Sequence, residues 1–87
     1  MINNDLFNLL GYIKVSSIRK ETLKSLEHEM KMPTEIKKET GLSMSQVSSA
    51  LTGLKRKDLV ICVNEDMRKG RIYKCTELGH EILEYLK

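Results

Sequence analysis

The most constraining stretch of the 87-residue chain is PTEIKKETGLSMSQVSSALTGLKRKDL, residues 33–59. Apolar residues stand at Ile36, Leu42, Val47, Ala50, Leu51 and Leu54, and the last four follow the i, i+3, i+4, i+7 spacing of one helix face. Between the two helical patterns lies Thr40-Gly41-Leu42-Ser43. Gly41 can take the left-handed conformation that ends a helix. Ser43 can open the next one, and Gln46 three residues later completes a capping box. Two short helices joined by such a turn form a helix-turn-helix, with helices expected at about 33–40 and 44–57.

Pro33 suits the first position of the leading helix, because its missing N–H has no partner to lose there. Upstream, Ser16-Ser17 is a good start for the helix SIRKETLKSLEHEM, with Ile18, Leu23, Leu26 and Met30 on one stripe. The N-terminal segment, residues 1–15, holds Leu6, Leu9, Leu10, Tyr12, Ile13 and Val15. Asn4 or Asp5 could cap a helix there, expected to run to about residue 12 before Gly11 and the β-branched residues loosen it. The segment either covers the core or forms a surface buried by another chain.

After residue 57 the period changes. Leu59-Val60-Ile61-Cys62-Val63 and Arg71-Ile72-Tyr73-Lys74-Cys75-Thr76 are β-branched and aromatic runs separated by a polar stretch ending in Gly70, the pattern of a hairpin over 59–76. A four-residue loop at 67–70 would set Asp66 against Arg71 and Cys62 against Cys75. Thr76-Glu77 then starts a last helix over 77–87, with Leu78, Ile82, Tyr85 and Leu86 on one face. The expected architecture is one domain, mainly α with a small β-hairpin, an α+β winged helix-turn-helix.

The ordered set resembles the winged helix-turn-helix transcriptional regulators of the MarR/ArsR-like superfamily, and in particular the compact single-domain members common in archaea. The resemblance spans about residues 16–84. It rests on Glu35-Ile36, Gly41-Leu42-Ser43, Val47 with Leu51 and Leu54, Leu59-Val60, Gly70-Arg71-Ile72-Tyr73 and Thr76-Glu77-Leu78-Gly79. Asp58 departs from the pattern, since the family usually has glycine before the leucine that enters the wing. Asp tolerates the left-handed conformation better than most residues. The resemblance implies a sequence-specific regulator of transcription with helix 44–57 in the major groove and wing 64–71 on the backbone or in the minor groove.

Charge distribution agrees with a polyanionic partner. The net charge is +3, yet residues 43–74 carry seven basic residues against three acidic ones, while residues 75–87 are net acidic. With Val47, Ala50, Leu51 and Leu54 inward, helix 44–57 would show Ser45, Gln46, Ser48, Ser49, Thr52, Lys55 and Arg56, with Ser43 at its start. Small hydroxyl residues allow close groove approach. Gln46 is the best base reader because its amide can pair bidentately with adenine. That use competes with capping; the DNA use is favoured because Ser43 can cap alone. Lys55 and Arg56 would reach phosphates, Arg68 and Lys69 would sit at the wing tip, and Arg71 could be held by Asp66.

Other chemistry is poorly supported. There is no nucleophile elbow, phosphate loop or metalloprotease motif, so an enzyme is not expected. His28 and His80 have no ligand neighbours at metal spacing, and no metal or cofactor is expected. Cys62 and Cys75 fit two small core residues better than a redox pair. No apolar run approaches a membrane span, and the N-terminus lacks the layout of a signal peptide, so a cytoplasmic protein is expected. A chain this short buries only about 60–65% of its unfolded surface, which favours self-association. The expected partners are double-stranded DNA and a second copy, as a homodimer. The competing reading is a winged helix used for protein contact in a transcription or other assembly, kept open by the scarcity of arginine on helix 44–57.

Overall fold

A computed structural model describes residues 4–87 of the chain. Five helices and one two-stranded antiparallel sheet follow in the order α1 (Asn4–Lys14), α2 (Ser17–Ser25), α3 (Pro33–Thr40), α4 (Met44–Arg56), β1 (Val60–Cys62), β2 (Tyr73–Cys75) and α5 (Glu77–Tyr85). This is the expected mainly α winged helix-turn-helix, with α3 and α4 as the motif and the hairpin as the wing. The core gathers Ile13, Leu23, Leu26, Ile36, Val47, Leu51, Leu54, Leu59, Val60, Ile82 and Leu83, so every helix and β1 contribute to it.

Local chemistry sets most of the boundaries. Ser16 caps α2 by accepting from the Arg19 N–H at 3.2 Å. Gly41 ends α3 at φ 76°, and its N–H donates to the Lys37 carbonyl at 2.9 Å. Ser43 opens α4 with the full capping box. Asp58 takes φ 61°, as its place before the wing requires, and is the non-glycine residue with positive φ among those described. Thr76 caps α5 by accepting from the Gly79 N–H at 3.0 Å, and its own hydroxyl donates to the Asp58 carbonyl at 2.7 Å.

Four expectations are corrected. Helix α1 continues through Gly11 to Lys14, because fully buried Ile13 anchors its last turn and packing outweighs propensity. The residue that would cap α1 lies outside the described residues, and Asp5 sits in the first turn. Helix α2 stops at Ser25, leaving Met30 exposed rather than on its apolar stripe. The chain after it turns extended to bridge β2: the Lys31 N–H donates to the Tyr73 carbonyl at 3.0 Å, and the Tyr73 N–H donates back at 2.8 Å. That exchange requires the helix to end early.

The hairpin register is also shifted, with Val60 opposite Cys75 and Cys62 opposite Tyr73. The loop spans 64–71, because the Asn64 side chain fills the place of further ladder bonds: its Oδ1 accepts from the Ile72 N–H at 2.8 Å and its Nδ2 donates to the Gly70 carbonyl at 3.1 Å. A slip of two residues preserves which side chains face inward, so both cysteines remain buried although they do not face each other. In α5, Leu83 is buried beside Ile82, while Tyr85 turns outward and is 46% exposed.

Gly79 shows how tightly the wing root meets α5. A Cβ at this position would run into the Leu59 carbonyl and the Cys75 Sγ. The obstructing atoms include backbone, which cannot rotate aside. Gly79→Ala is expected to destabilise the fold by about 1–3 kcal/mol through overpacking, seen as a lower urea midpoint at unchanged slope. An unchanged midpoint would mean that the junction is looser than this packing.

Candidate nucleic-acid interface

Helix α4 buries Val47, Ala50, Leu51 and Leu54 and leaves Ser45, Gln46, Ser48, Ser49, Thr52, Lys55 and Arg56 exposed. The exposed face is therefore the small, hydroxyl-rich one expected. Its hydroxyls are not equivalent. Ser43 is occupied as the cap, accepting from the Gln46 N–H at 3.1 Å. Thr52 donates its hydroxyl proton to the Ser48 carbonyl at 2.9 Å, which leaves it as an acceptor toward solvent. The side chains of Ser45, Ser48 and Ser49 make no hydrogen bond among the described residues and can donate or accept outward.

Gln46, the expected base reader, spends its carbonyl oxygen at home. Its Oε1 accepts from the Ser43 N–H at 3.0 Å, completing the reciprocal cap. In this conformation the side chain points back along the helix, so reading adenine bidentately would require it to leave the cap. Ser43 would still hold the helix start through its own bond. In the structure without DNA the capping use is the one formed.

The cations divide into committed and open groups. Lys55 pairs with Glu65 of the wing loop, joining the end of α4 to the wing. Their mutual hydrogen bond holds the Glu65 carboxyl below its ordinary range and the Lys55 ammonium above its own. Arg71 does not pair with Asp66. Its Nε donates to the Met67 carbonyl at 2.6 Å and its Nη2 to the Glu65 carbonyl at 3.1 Å, so it braces the wing loop from inside. Arg68 and Lys69 stand exposed at the tip, beside Met32, Pro33 and Thr34 at the start of α3. Arg56 is exposed at the far end of α4.

The structure adds residues that lie far from this site in sequence. A cleft of about 730 Å³ runs between α4 and the start of α2, lined by Ser45, Gln46, Ser49, Thr52 and Arg56 on one side and Ser16 and Arg19 on the other. Tyr12 closes it beside Gly53, where a Cβ would collide with the Tyr12 hydroxyl. The Arg19 guanidinium lies over the Tyr12 ring, 3.9 Å from its centroid, and the Lys57 ammonium lies 5.4 Å away. On the sequence, Arg19 is one of several charged residues in the helix SIRKETLKSLEHEM. A tyrosine seven residues before it was the available hint, but only the packing of α2 against α4, with the Tyr12 side chain reaching Gly53, brings it to this site.

Both cysteines are free and buried. Burial, with a smaller contribution from the Glu27 charge, pushes the Cys75 thiol up to about 11. It stays protonated and unreactive at neutral pH. Among the described residues, no group of three or more His, Cys, Asp or Glu could hold a metal ion, and no helix is long and apolar enough to cross a membrane.

No protein-family model and no curated protein matches the chain. Among solved structures, it is similar to TubR bound to 24 bp of tubC from Bacillus thuringiensis serovar israelensis pBtoxis. The TM-score is 0.81 at 16% sequence identity, covering 99% of this chain and 94% of that one. At that identity the likeness establishes the fold, and it does so over nearly the whole length of both chains.

The Lys55–Glu65 pair makes a prediction about the wing. Glu65 has a folded-state pKa below its unfolded value, so its contribution is present above the unfolded value and lost as pH falls through the folded one. Lys55 is shifted upward, so its contribution is lost only as pH rises through its raised value. The latch is therefore closed across neutral pH and opens in acid. An NMR titration should find Glu65 below the other exposed glutamates without partners, and Lys55→Ala should return it to the ordinary range. An ordinary Glu65 titration in the unmodified protein would mean that the latch does not form in solution.

Proposed function

We propose that this chain is a sequence-specific regulator of transcription that binds double-stranded DNA as a homodimer in the cytoplasm, acting by binding rather than catalysis. Helix α4 enters the major groove with Ser45, Ser48, Ser49 and Thr52 toward the bases and phosphates, and the wing sets Arg68 and Lys69 on the backbone or in the minor groove. The observation that carries this reading is the face of α4: a row of short hydroxyl side chains flanked by open cations at Arg56 and at the wing tip. Close approach to a groove needs short side chains, and phosphate contacts need the cations at the edges.

Further support comes from the similar fold of TubR, which is seen on 24 bp of tubC. The kinship proposed from sequence is with MarR/ArsR-like regulators of the compact archaeal kind. Gln46 reads a base by leaving its cap, a local change at a position Ser43 continues to hold. Lys55 and Arg71 act on DNA indirectly, by fixing the wing against α4. A homodimer is favoured by α1 and α5, which pack together and leave Phe7 68% and Tyr85 46% exposed. The alternative, a module for protein contact, draws on the same exposed apolar residues and on the engagement of Gln46 and Lys55 within the fold.

A salt series on duplex DNA separates these readings. A groove-binding protein should lose affinity linearly on a log–log plot, with a slope of about −0.9 per neutralised phosphate, and so by about a hundredfold or more between about 50 and about 200 mM salt. Within it, Arg68→Ala should weaken all sequences alike, while Gln46→Ala should relax preference at one base pair by about 1–3 kcal/mol. Sedimentation equilibrium should give twice the 10.0 kDa chain mass. Weak binding that ignores salt would contradict the DNA reading and favour the protein-contact one. A single-chain mass would remove the dimer.

A further inference from the structure

The cleft beside α4 has one wall, α4 itself, among the contacts proposed above, and a second wall that none of those contacts uses. Its far wall is Arg19, and three arrangements fix that side chain in place. The guanidinium stacks on the Tyr12 ring at 3.9 Å. Its Nη1 donates to the Tyr12 carbonyl at 3.0 Å. The Tyr12 ring itself is brought against α4 because position 53 is glycine. An arginine held this way loses little further rotamer freedom on binding, and most of its five N–H donors remain to be used.

Arg19 forms no ion pair with a carboxylate among the described residues, whereas Lys31, Lys55 and Lys87 each do. Across the cleft stands Arg56, also without an acidic partner among the described residues. Between them lie Ser45 and Ser49 on α4 and Ser16 on the Arg19 side. The Ser16 oxygen accepts from the Arg19 N–H at 3.2 Å, which leaves its hydroxyl proton to donate outward. Two cations on opposite walls with hydroxyl donors between them suit a group carrying one negative charge and two equivalent oxygens. A backbone phosphodiester has that chemistry, and arginine engages it through two parallel N–H bonds.

We infer that Arg19, seated on Tyr12, is a phosphate anchor for duplex DNA lying on α4. It is a third point of contact, across the recognition helix from the wing. This rests on the DNA reading and deepens it: α4 would be gripped on both flanks, by the wing on one side and by Arg19 with Arg56 on the other. Tyr12 and Gly53 are then positioning residues that hold the guanidinium at the height of the backbone.

The test is a salt series of binding to a mixed-sequence duplex of about 30 bp, three helical turns, using the whole chain, Arg19→Gln and Arg19→Lys. The glutamine variant keeps a donor for the Tyr12 carbonyl and removes the charge, while the lysine variant keeps the charge and gives up the planar stack. Arg19→Gln should bind more weakly, with a slope shallower by about 0.9 for each Arg19 in the complex. Its deficit should then narrow by about threefold per Arg19 between about 50 and about 200 mM salt. Arg19→Lys should retain the slope of the unmodified protein.

A wild-type slope in Arg19→Gln overturns the anchor. So does a lower melting temperature in both variants with no change of slope in either, since that is the signature of packing alone. A flat series for the unmodified protein overturns the DNA reading itself. That failure is visible before either variant is compared.

Discussion

The wing can stand beside α4 because of the backbone around Leu59. Asp58 turns left-handed, the Leu59 N–H returns to the Leu54 carbonyl at 2.9 Å, and the Leu59 carbonyl accepts from the Thr76 N–H at 3.1 Å. Thr76 also donates its hydroxyl to Asp58 and caps α5, while Gly79 lets that helix lie directly against Leu59 and Cys75. The end of α4, both wing strands and the start of α5 are thereby fixed through one short segment of chain. A wing hung from a flexible joint would lose part of any contact to ordering entropy. This joint is ordered in advance, and the Lys55–Glu65 pair and the internal bonds of Arg71 extend that order to the loop.

Features that depend on a single residue's local chemistry were legible in the sequence. Gly41 at positive φ, Ser43 with Gln46 as a capping box, and Ser16 and Thr76 as caps follow from what those residues do to a nearby backbone, and the left-handed turn at Asp58 from the resemblance, which places glycine there. The bridge between Lys31 and Tyr73 was not legible, because it is a backbone exchange that no side-chain pattern announces. The register of the hairpin was misplaced by two residues for a related reason: Asn64 replaces ladder bonds with side-chain bonds, so the loop is longer than its glycine suggests. The early end of α2 follows from the same bridge.

The candidate interface divides in the same way. The exposed face of α4 could be written down from periodicity, since burial of Val47, Ala50, Leu51 and Leu54 determines what remains. The state of each side chain on that face could not. Gln46 had two compatible uses, and the fold forms the capping one. Lys55 looked like an open cation and Arg71 like a partner for Asp66, but the wing loop provides a carboxylate for the first and carbonyls for the second. Arg19, the anchor inferred above, could not be singled out from the sequence because its place depends on the packing of α2 against α4 and on the Tyr12 side chain reaching Gly53. The result is a surface of short polar groups whose positive charge lies at its margins. In the proposed DNA complex, affinity comes from the margins and discrimination from the middle.

The most direct measurement is an amide chemical-shift map recorded while duplex DNA is added to the whole chain. The account predicts that the largest shifts fall on residues 43–56 and on the wing loop at 65–71, including the Ser43 amide as Gln46 leaves its cap. The outer face of α5 should move little. Shifts concentrated on α5, with α4 and the wing unmoved, would contradict it.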